Sequence, residues 1–326
     1  EERLSWLVQD NYGQELRDPF GTANPGNREN INYFTTGPTV TLPVGDRNEL
    51  GFEVLYSDVA YESRPFDHYR NTASTWFGRE IRRGLDISLN AEITQVRYED
   101  AFQNDFDRKE AFLRAASESD RTTFNIDLGV TSLNFLSSSD NFRPLLNIEW
   151  TRHISRFSSV TLSAGTNYTD PAETFRLGQQ DSTSVDDTRD VEGDGNPYRY
   201  THAGVGYSLD RDRTSLQLNF TAAKEDYWSL SDRGRYLGIA EFVAERDLSR
   251  ELFLNTTLRF SRRDYIDLPR IDDDILASFA IGYRLGSASS IDVEYSYLKR
   301  SSEQSLYDYD ENRIFVRFSY VPAWGR

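Results

Sequence analysis

The chain has 326 residues, of which 37% are apolar, 28% charged and 13% aromatic, and its formal net charge is −16. No window approaches the roughly 18 apolar residues of a membrane helix, and no basic region offers phosphates a footprint, so helical membrane proteins and nucleic-acid binders are excluded. Zero Cys removes disulfides, thiolate metal sites and cysteine nucleophiles, while zero Met behind an opening Glu1 points to a targeting segment already removed.

In chain order, two-residue alternation recurs from end to end. Leu85, Ile87, Leu89, Ala91 and Ile93 alternate with Asp86, Ser88, Asn90, Glu92 and Thr94. Phe124 to Val130, Val160 to Ala164, Leu216 to Phe220, Leu252 to Phe260, Ile291 to Tyr297 and Ile314 to Tyr320 repeat the pattern. Successive side chains leave a strand on opposite sides, so each segment has one oily and one wet face. The pattern predicts about sixteen strands, at 3–13, 31–44, 48–58, 68–81, 85–98, 109–118, 121–134, 142–154, 158–169, 197–209, 213–225, 233–246, 251–263, 273–285, 289–299 and 310–321. Pro38 should mark a bulge or a local break in pairing, since it has no N–H to donate.

The connectors alternate between tight and long. Tight turns centre on Asp46-Arg47, Arg82-Arg83-Gly84, Ser119-Asp120, Ser155-Arg156, Asp210-Arg211, Ser249-Arg250 and Gly286-Ser287. Longer segments fall near 14–30, 59–67, 99–108, 135–141, 170–196, 226–232, 264–272 and 300–309. An even number of long strands, short turns on one side and long loops on the other describe an all-β transmembrane antiparallel barrel of the bacterial outer membrane, one domain over 1–326, with short periplasmic turns and long extracellular loops. Closure would leave no edge, as lipid requires. A soluble sandwich or β-helix is the competing fold, but its strands are shorter and its loops have no reason to alternate in length.

On the barrel reading the apolar stripe meets lipid and the other stripe lines the lumen. The lumen-lining candidates are Glu53, Asp86, Glu92, Asp127, Glu149, Glu241, Glu245, Asp292 and Glu294, with Arg259, Arg284 and Arg317. A lumen this charged should be wet, because an unpaired charge in a dry interior costs several kcal/mol. Ser163, Gly165, Gly204, Gly206 and Ser215 would leave extra room; the contrary arrangement has opposite charges pairing across the lumen and plugging it. Trp6, Tyr56, Trp150, Tyr207, Tyr283 and Tyr320 suit headgroup girdles. A sugar-stacking role would need inward rings such as Tyr198 and Tyr200.

Catalytic chemistry is not indicated. His153 and Ser155 share a strand face, as in outer-membrane lipid hydrolases, but they lie at the short-turn end and face the lumen. Asp190, Glu192 and Asp194 before Gly195 echo the start of a calcium loop, and Asp272 to Asp274 form a second acidic cluster. A twelfth-position Glu is missing, so structural calcium bridging to lipopolysaccharide is set against a plain solvated loop. No other cofactor is expected.

Two resemblances add to this reading. Arg313 to Tyr320, with aromatics at Phe318 and Tyr320, resembles the C-terminal signal read by the barrel assembly machinery, although the chain continues through Val321 to Arg326. Trp6-Leu7-Val8-Gln9-Asp10-Asn11-Tyr12 resembles the first strand of outer-membrane barrels associated with exopolysaccharide synthesis and export, including exosortase-linked clusters. That resemblance implies a porin-like channel for a secreted polysaccharide, no active site, and periplasmic export components as partners beside the lipid bilayer and lipopolysaccharide. The alternatives are a cation-favouring nutrient porin and a structural or adhesive barrel with acidic surface loops.

Overall fold

A computed structural model describes residues 3–17, 25–100, 104–135, 141–181, 196–227, 233–286 and 288–320. Sixteen strands run along it: β1 (Leu4–Leu16), β2 (Arg28–Val44), β3 (Asn48–Tyr61), β4 (His68–Arg82), β5 (Leu85–Tyr98), β6 (Phe106–Glu118), β7 (Thr122–Phe135), β8 (Asn141–Ser155), β9 (Ser158–Thr169), β10 (Tyr198–Arg211), β11 (Thr214–Tyr227), β12 (Arg235–Asp247), β13 (Leu252–Tyr265), β14 (Ile271–Arg284), β15 (Ser289–Ser302) and β16 (Tyr309–Tyr320). Among the described residues one α-helix, α1 (Pro171–Asp181), follows β9. The strands form one antiparallel sheet in which each lies beside its sequence neighbours, in the order β1 to β16. Among the described residues no helix is long and apolar enough to cross a membrane.

The alternation becomes two physically distinct faces. On β3, Phe52, Val54 and Tyr56 are 45%, 56% and 43% exposed, while the intervening Gly51 and Ser57 are buried and Glu53 is half-buried. On β15, Ile291, Val293 and Tyr295 are likewise exposed, and Asp292, Glu294 and Ser296 are buried. This inverts a soluble protein, whose apolar stripe is the hidden one, and it fits a sheet whose apolar face has hydrocarbon for solvent.

Pairing breaks at Pro38 as the sequence predicts. The β2–β3 ladder passes from Thr36↔Tyr56 to Thr39↔Glu53 without changing register, so the break is local and adds no bulge residue. Toward β1 the pairing continues through Leu7↔Gly37 and Trp6↔Pro38. At the tight turns, Gly45 (φ 73°), Gly84 (φ 74°) and Asp212 (φ 51°) take the left-handed backbone that such reversals need.

The chain divides into two compact units. The first comprises residues 1–149, 164–201 and 226–231, and therefore holds β1–β7, α1 and the strand ends around it. It contains two apolar clusters. One joins Ile31, Tyr33, Val59 and Tyr61 to Ala172 and Phe175 of the helix, and the other joins Val96, Phe106, Leu133 and Phe135 to Tyr168. The second unit comprises 150–163, 202–225 and 232–326, including β12–β16. Its buried side chains are mostly charged: Glu225, Arg235, Arg263, Arg270, Asp272, Asp292, Glu294 and Arg300.

Candidate functional site: the charged face and its helix

In the first unit, the segment Thr169-Asp170-Pro171-Ala172-Glu173 starts a helix by local chemistry. The Asp170 carboxylate accepts from the Glu173 backbone N–H at 3.1 Å, and the Thr174 N–H donates to the Asp170 carbonyl at 3.0 Å. Asp170 is thus the N-cap, Pro171 fills the first helical position where no donor is needed, and Glu173 adds negative charge at the positive end of the helix. The apolar side of this turn, Ala172 and Phe175, settles on Ile31 and Tyr33 of β2 and on Val59 and Tyr61 of β3. Strands six and seven places away in the sheet order are therefore covered by a helix that follows β9.

Charge fixes the helix in that position. The buried Arg70 guanidinium lies 2.7 Å from Asp170 and 3.8 Å from Glu173. The Tyr33 hydroxyl donates to Glu173 at 3.4 Å, and Arg176 grips the same carboxylate at 2.5 Å. Arg108 pairs with Glu92 at 3.1 Å, approaches Glu110 at 3.6 Å, and donates to the Tyr168 carbonyl at 3.2 Å. Burial by itself would push the Asp170 carboxyl up, but the Arg70 charge and hydrogen bond outweigh it and hold the group below its ordinary value. Glu173 is held low in the same way, against its burial, by Arg70 and Arg176. Both carboxylates remain charged at neutral pH.

The charged residues picked from the sequence fall as follows. In the first unit Glu53 accepts from Thr39 at 2.8 Å, Glu92 is bound to Arg108, and Asp127 is held by two bonds from Arg114 at 2.7 and 2.9 Å. Asp86 is exposed and lines a cavity at the short-turn end of the strands, and Glu149 is exposed. In the second unit Glu241 stands directly opposite Arg259. Arg284 reaches Asp247 at 2.7 Å and Glu245 at 3.6 Å, and Arg317 bridges Glu294 at 2.8 Å and Asp292 at 3.6 Å. These contacts run between neighbouring or next-neighbouring strands along the wall. Arg70, Arg108, Arg114, Arg235, Arg263 and Arg300, which the sequence pattern does not single out, are all ion-paired on this face.

Other candidates are placed more simply. Ser155 Oγ is engaged with Ser158 Oγ at 2.9 Å and with the Phe157 N–H at 3.1 Å, so it belongs to the turn, while His153 is exposed. Tyr198 is stacked on Tyr227 with ring centroids 4.9 Å apart and bonded to Thr174 at 3.0 Å, which makes it part of the packing beneath the helix; Tyr200 is half-buried. Asp272 is clamped by Arg270 and Asp274 by Arg263 and Arg300, which leaves that cluster occupied by guanidinium groups. Asp190, Glu192 and Asp194 lie outside the described residues; among the described residues no group of three or more potential ligands could hold a metal ion. Trp6, Tyr56, Tyr207, Tyr283 and Tyr320 are exposed on the apolar side, and Trp150 is half-buried.

Residues 214–320 match the family model described as "Putative beta-barrel porin 2". No curated protein matches the chain. Among solved structures the chain is similar to the siderophore receptor PirA from Pseudomonas aeruginosa, at 12% identity and a TM-score of 0.51, over 92% of this chain and 56% of the receptor. The chain thus spans little more than half of that receptor's length. It is also similar to the copper transporter OprC (11% identity, 98% of this chain and 68% of that one, TM-score 0.48) and to a loop-deletion mutant of OmpT from Vibrio cholerae (7%, 98% and 99%, 0.41). At 12% identity the likeness to PirA is one of fold. Sixteen antiparallel strands in sequential order, an apolar face turned outward to solvent and the porin-model match over the last strands together make this an outer-membrane β-barrel.

Proposed function

We propose that the chain is a single barrel over 1–326 and an outer-membrane channel for export of a secreted exopolysaccharide, with the charged face as the wall of a wet lumen. The observation that carries the reading is the lateral pairing of charge: Arg114 with Asp127, Arg317 with Glu294, and Arg284 with Asp247 all join strands within the wall. Side chains tied along a wall leave the space in front of them to water, which suits a hydrated polymer better than a dry core does. The first-strand resemblance at Trp6–Tyr12 supports the polymer as cargo. Helix α1, seated on the same face at the long-loop end of β2–β4, narrows the passage and makes it selective.

Deletion of the gene should abolish secreted polysaccharide, and the intact gene should restore it; the purified protein in a planar bilayer should conduct. A non-conducting barrel removes every transport reading. A conducting barrel with unchanged polysaccharide secretion leaves the cation-favouring nutrient porin.

A further inference from the structure

We infer that the charged face of β3–β6, toward its short-turn end, is a binding subsite for a neutral oligosaccharide. The inference rests on the reading of this face as the wall of an export channel and names what the wall would grip.

Three side chains stand in one row. Register places Trp76 of β4 opposite Asn90 of β5, and Asn90 opposite Phe112 of β6. All three are half-buried, so each keeps part of its surface open on that face. The tryptophan ring lies on Gly51 of β3, its register partner, where a Cβ would meet ring carbons Cε2 and Cζ2 at 2.0 Å. Its indole N–H donates to Glu49 at 3.0 Å, which pins the ring in the plane of the wall. Asn90 donates its amide to the Ser88 carbonyl at 3.1 Å and hydroxyl at 2.9 Å, and among the described residues no donor reaches its side-chain oxygen.

One inward position nearer the turns, at Gly78, Ser88 and Arg114, begins a cavity of about 680 Å³ that Glu49, the indole's acceptor, also lines. Ligand sites of small molecules span about 300–1,000 Å³. Four arginines and four carboxylates line the cavity, so its formal charge cancels.

A pyranose ring needs what is assembled here. Its apolar C–H face stacks on a flat aromatic ring, and its hydroxyls both donate and accept, matching carboxylate, amide and guanidinium partners set around that ring. Two rings two strand-spacings apart are separated by roughly 10 Å, a span that covers successive sugars of a chain. The cancelled charge gives a polyanion no net attraction, whereas a neutral glycan can use every donor and acceptor of the lining without bringing charge into it. Unlike the buried Tyr198, Trp76 is both inward and accessible.

The test is blockade of bilayer current by maltohexaose, with an oligogalacturonate of equal length as the charged comparison. Maltohexaose should block the wild-type protein in a concentration-dependent way and more strongly than the uronate. Trp76→Ala should raise the half-blocking concentration by roughly tenfold, and Asn90→Ala, which leaves the ring on Gly51 in place, should raise it in the same direction. A conducting barrel that maltohexaose does not block, or blocks equally in all three proteins, overturns the subsite and leaves the channel standing. Stronger blockade by the uronate overturns its neutral preference. If the protein does not conduct, the channel falls, and tryptophan emission in detergent decides the subsite alone: maltohexaose must quench the wild type and not Trp76→Phe, and any other result removes it.

Discussion

At the level of single residues, Gly37 and Arg70 carry the sharpest consequences. A Cβ on Gly37 would lie 1.9 Å from the Val54 carbonyl oxygen and 2.9 Å from the Leu55 Cα, both backbone atoms that cannot rotate away. Gly37→Ala should therefore push β2 and β3 apart beside Pro38 and destabilise the barrel by about 1–3 kcal/mol, as for other overpacked sites; the temperature at which the folded band is lost on a semi-native gel measures it. Arg70→Gln leaves Asp170 buried without its guanidinium, and breaking such a pair costs about 3–5 kcal/mol. The double variant Arg70→Gln/Asp170→Asn should recover part of this in urea unfolding, because no charge is then stranded. Acid should act on the same joint. The ordinary values are 3.8 for Asp170 and 4.5 for Glu173, and both are lowered when the helix is seated. Seated carboxylates bind protons less readily, so their stabilisation is complete above the ordinary values and drains away as pH falls through the lowered ones. Conductance in the wild type should rise only once pH falls below both ordinary values, and Asp170→Asn/Glu173→Gln should lose that acid step.

At the level of elements, the sixteen strands were legible in the sequence, while their outer ends and the helix were not. Alternation reports a strand only where one side meets an apolar medium. Toward the long loops it fades, as in Leu298-Lys299-Arg300-Ser301-Ser302, although β15 remains paired with β14 through Asp272↔Ser302. The expected limits accordingly stop short at β3, β13 and β15 and begin late at β2 and β6. Helix α1 escaped a search for periodicity because it is a single short element inside a long loop. Two other signals mark it: Asp170-Pro171 followed by Glu173 is a helix start by its capping chemistry, and the polar faces of β2, β3 and β7 turn apolar at Ile31, Tyr33, Val59, Tyr61, Leu133 and Phe135. Where the inward side turns apolar while the other side carries Asn32, Asp58 and Asn134, the apolar patch has to be covered by something. Excision of residues 171–181 should uncover these residues and raise single-channel conductance, whereas a passage narrowed elsewhere would show no increase.

At the level of the whole molecule, net charge is a poor guide to selectivity. The chain carries −16, yet the candidate acids Glu92, Asp127, Asp292 and Glu294 are each matched by a guanidinium on an adjacent strand. A reversal-potential measurement under a salt gradient should show modest preference for cations, and Arg284→Ala/Arg317→Ala should strengthen it by releasing Asp247, Asp292 and Glu294. Acids dominate what alternation exposes, because arginines such as Arg70 and Arg108 lie where alternation has already weakened. The seating of α1 also bears on how the chain is made. Asp170 meets Arg70 across a separation of 100 residues, so the joint cannot form until nine strands have been delivered. Contacts so distant in sequence are slow to close. An assembling chain stopped ahead of residue 170 would keep an orphaned guanidinium and an open greasy seat, a state that quality-control proteases are equipped to recognise.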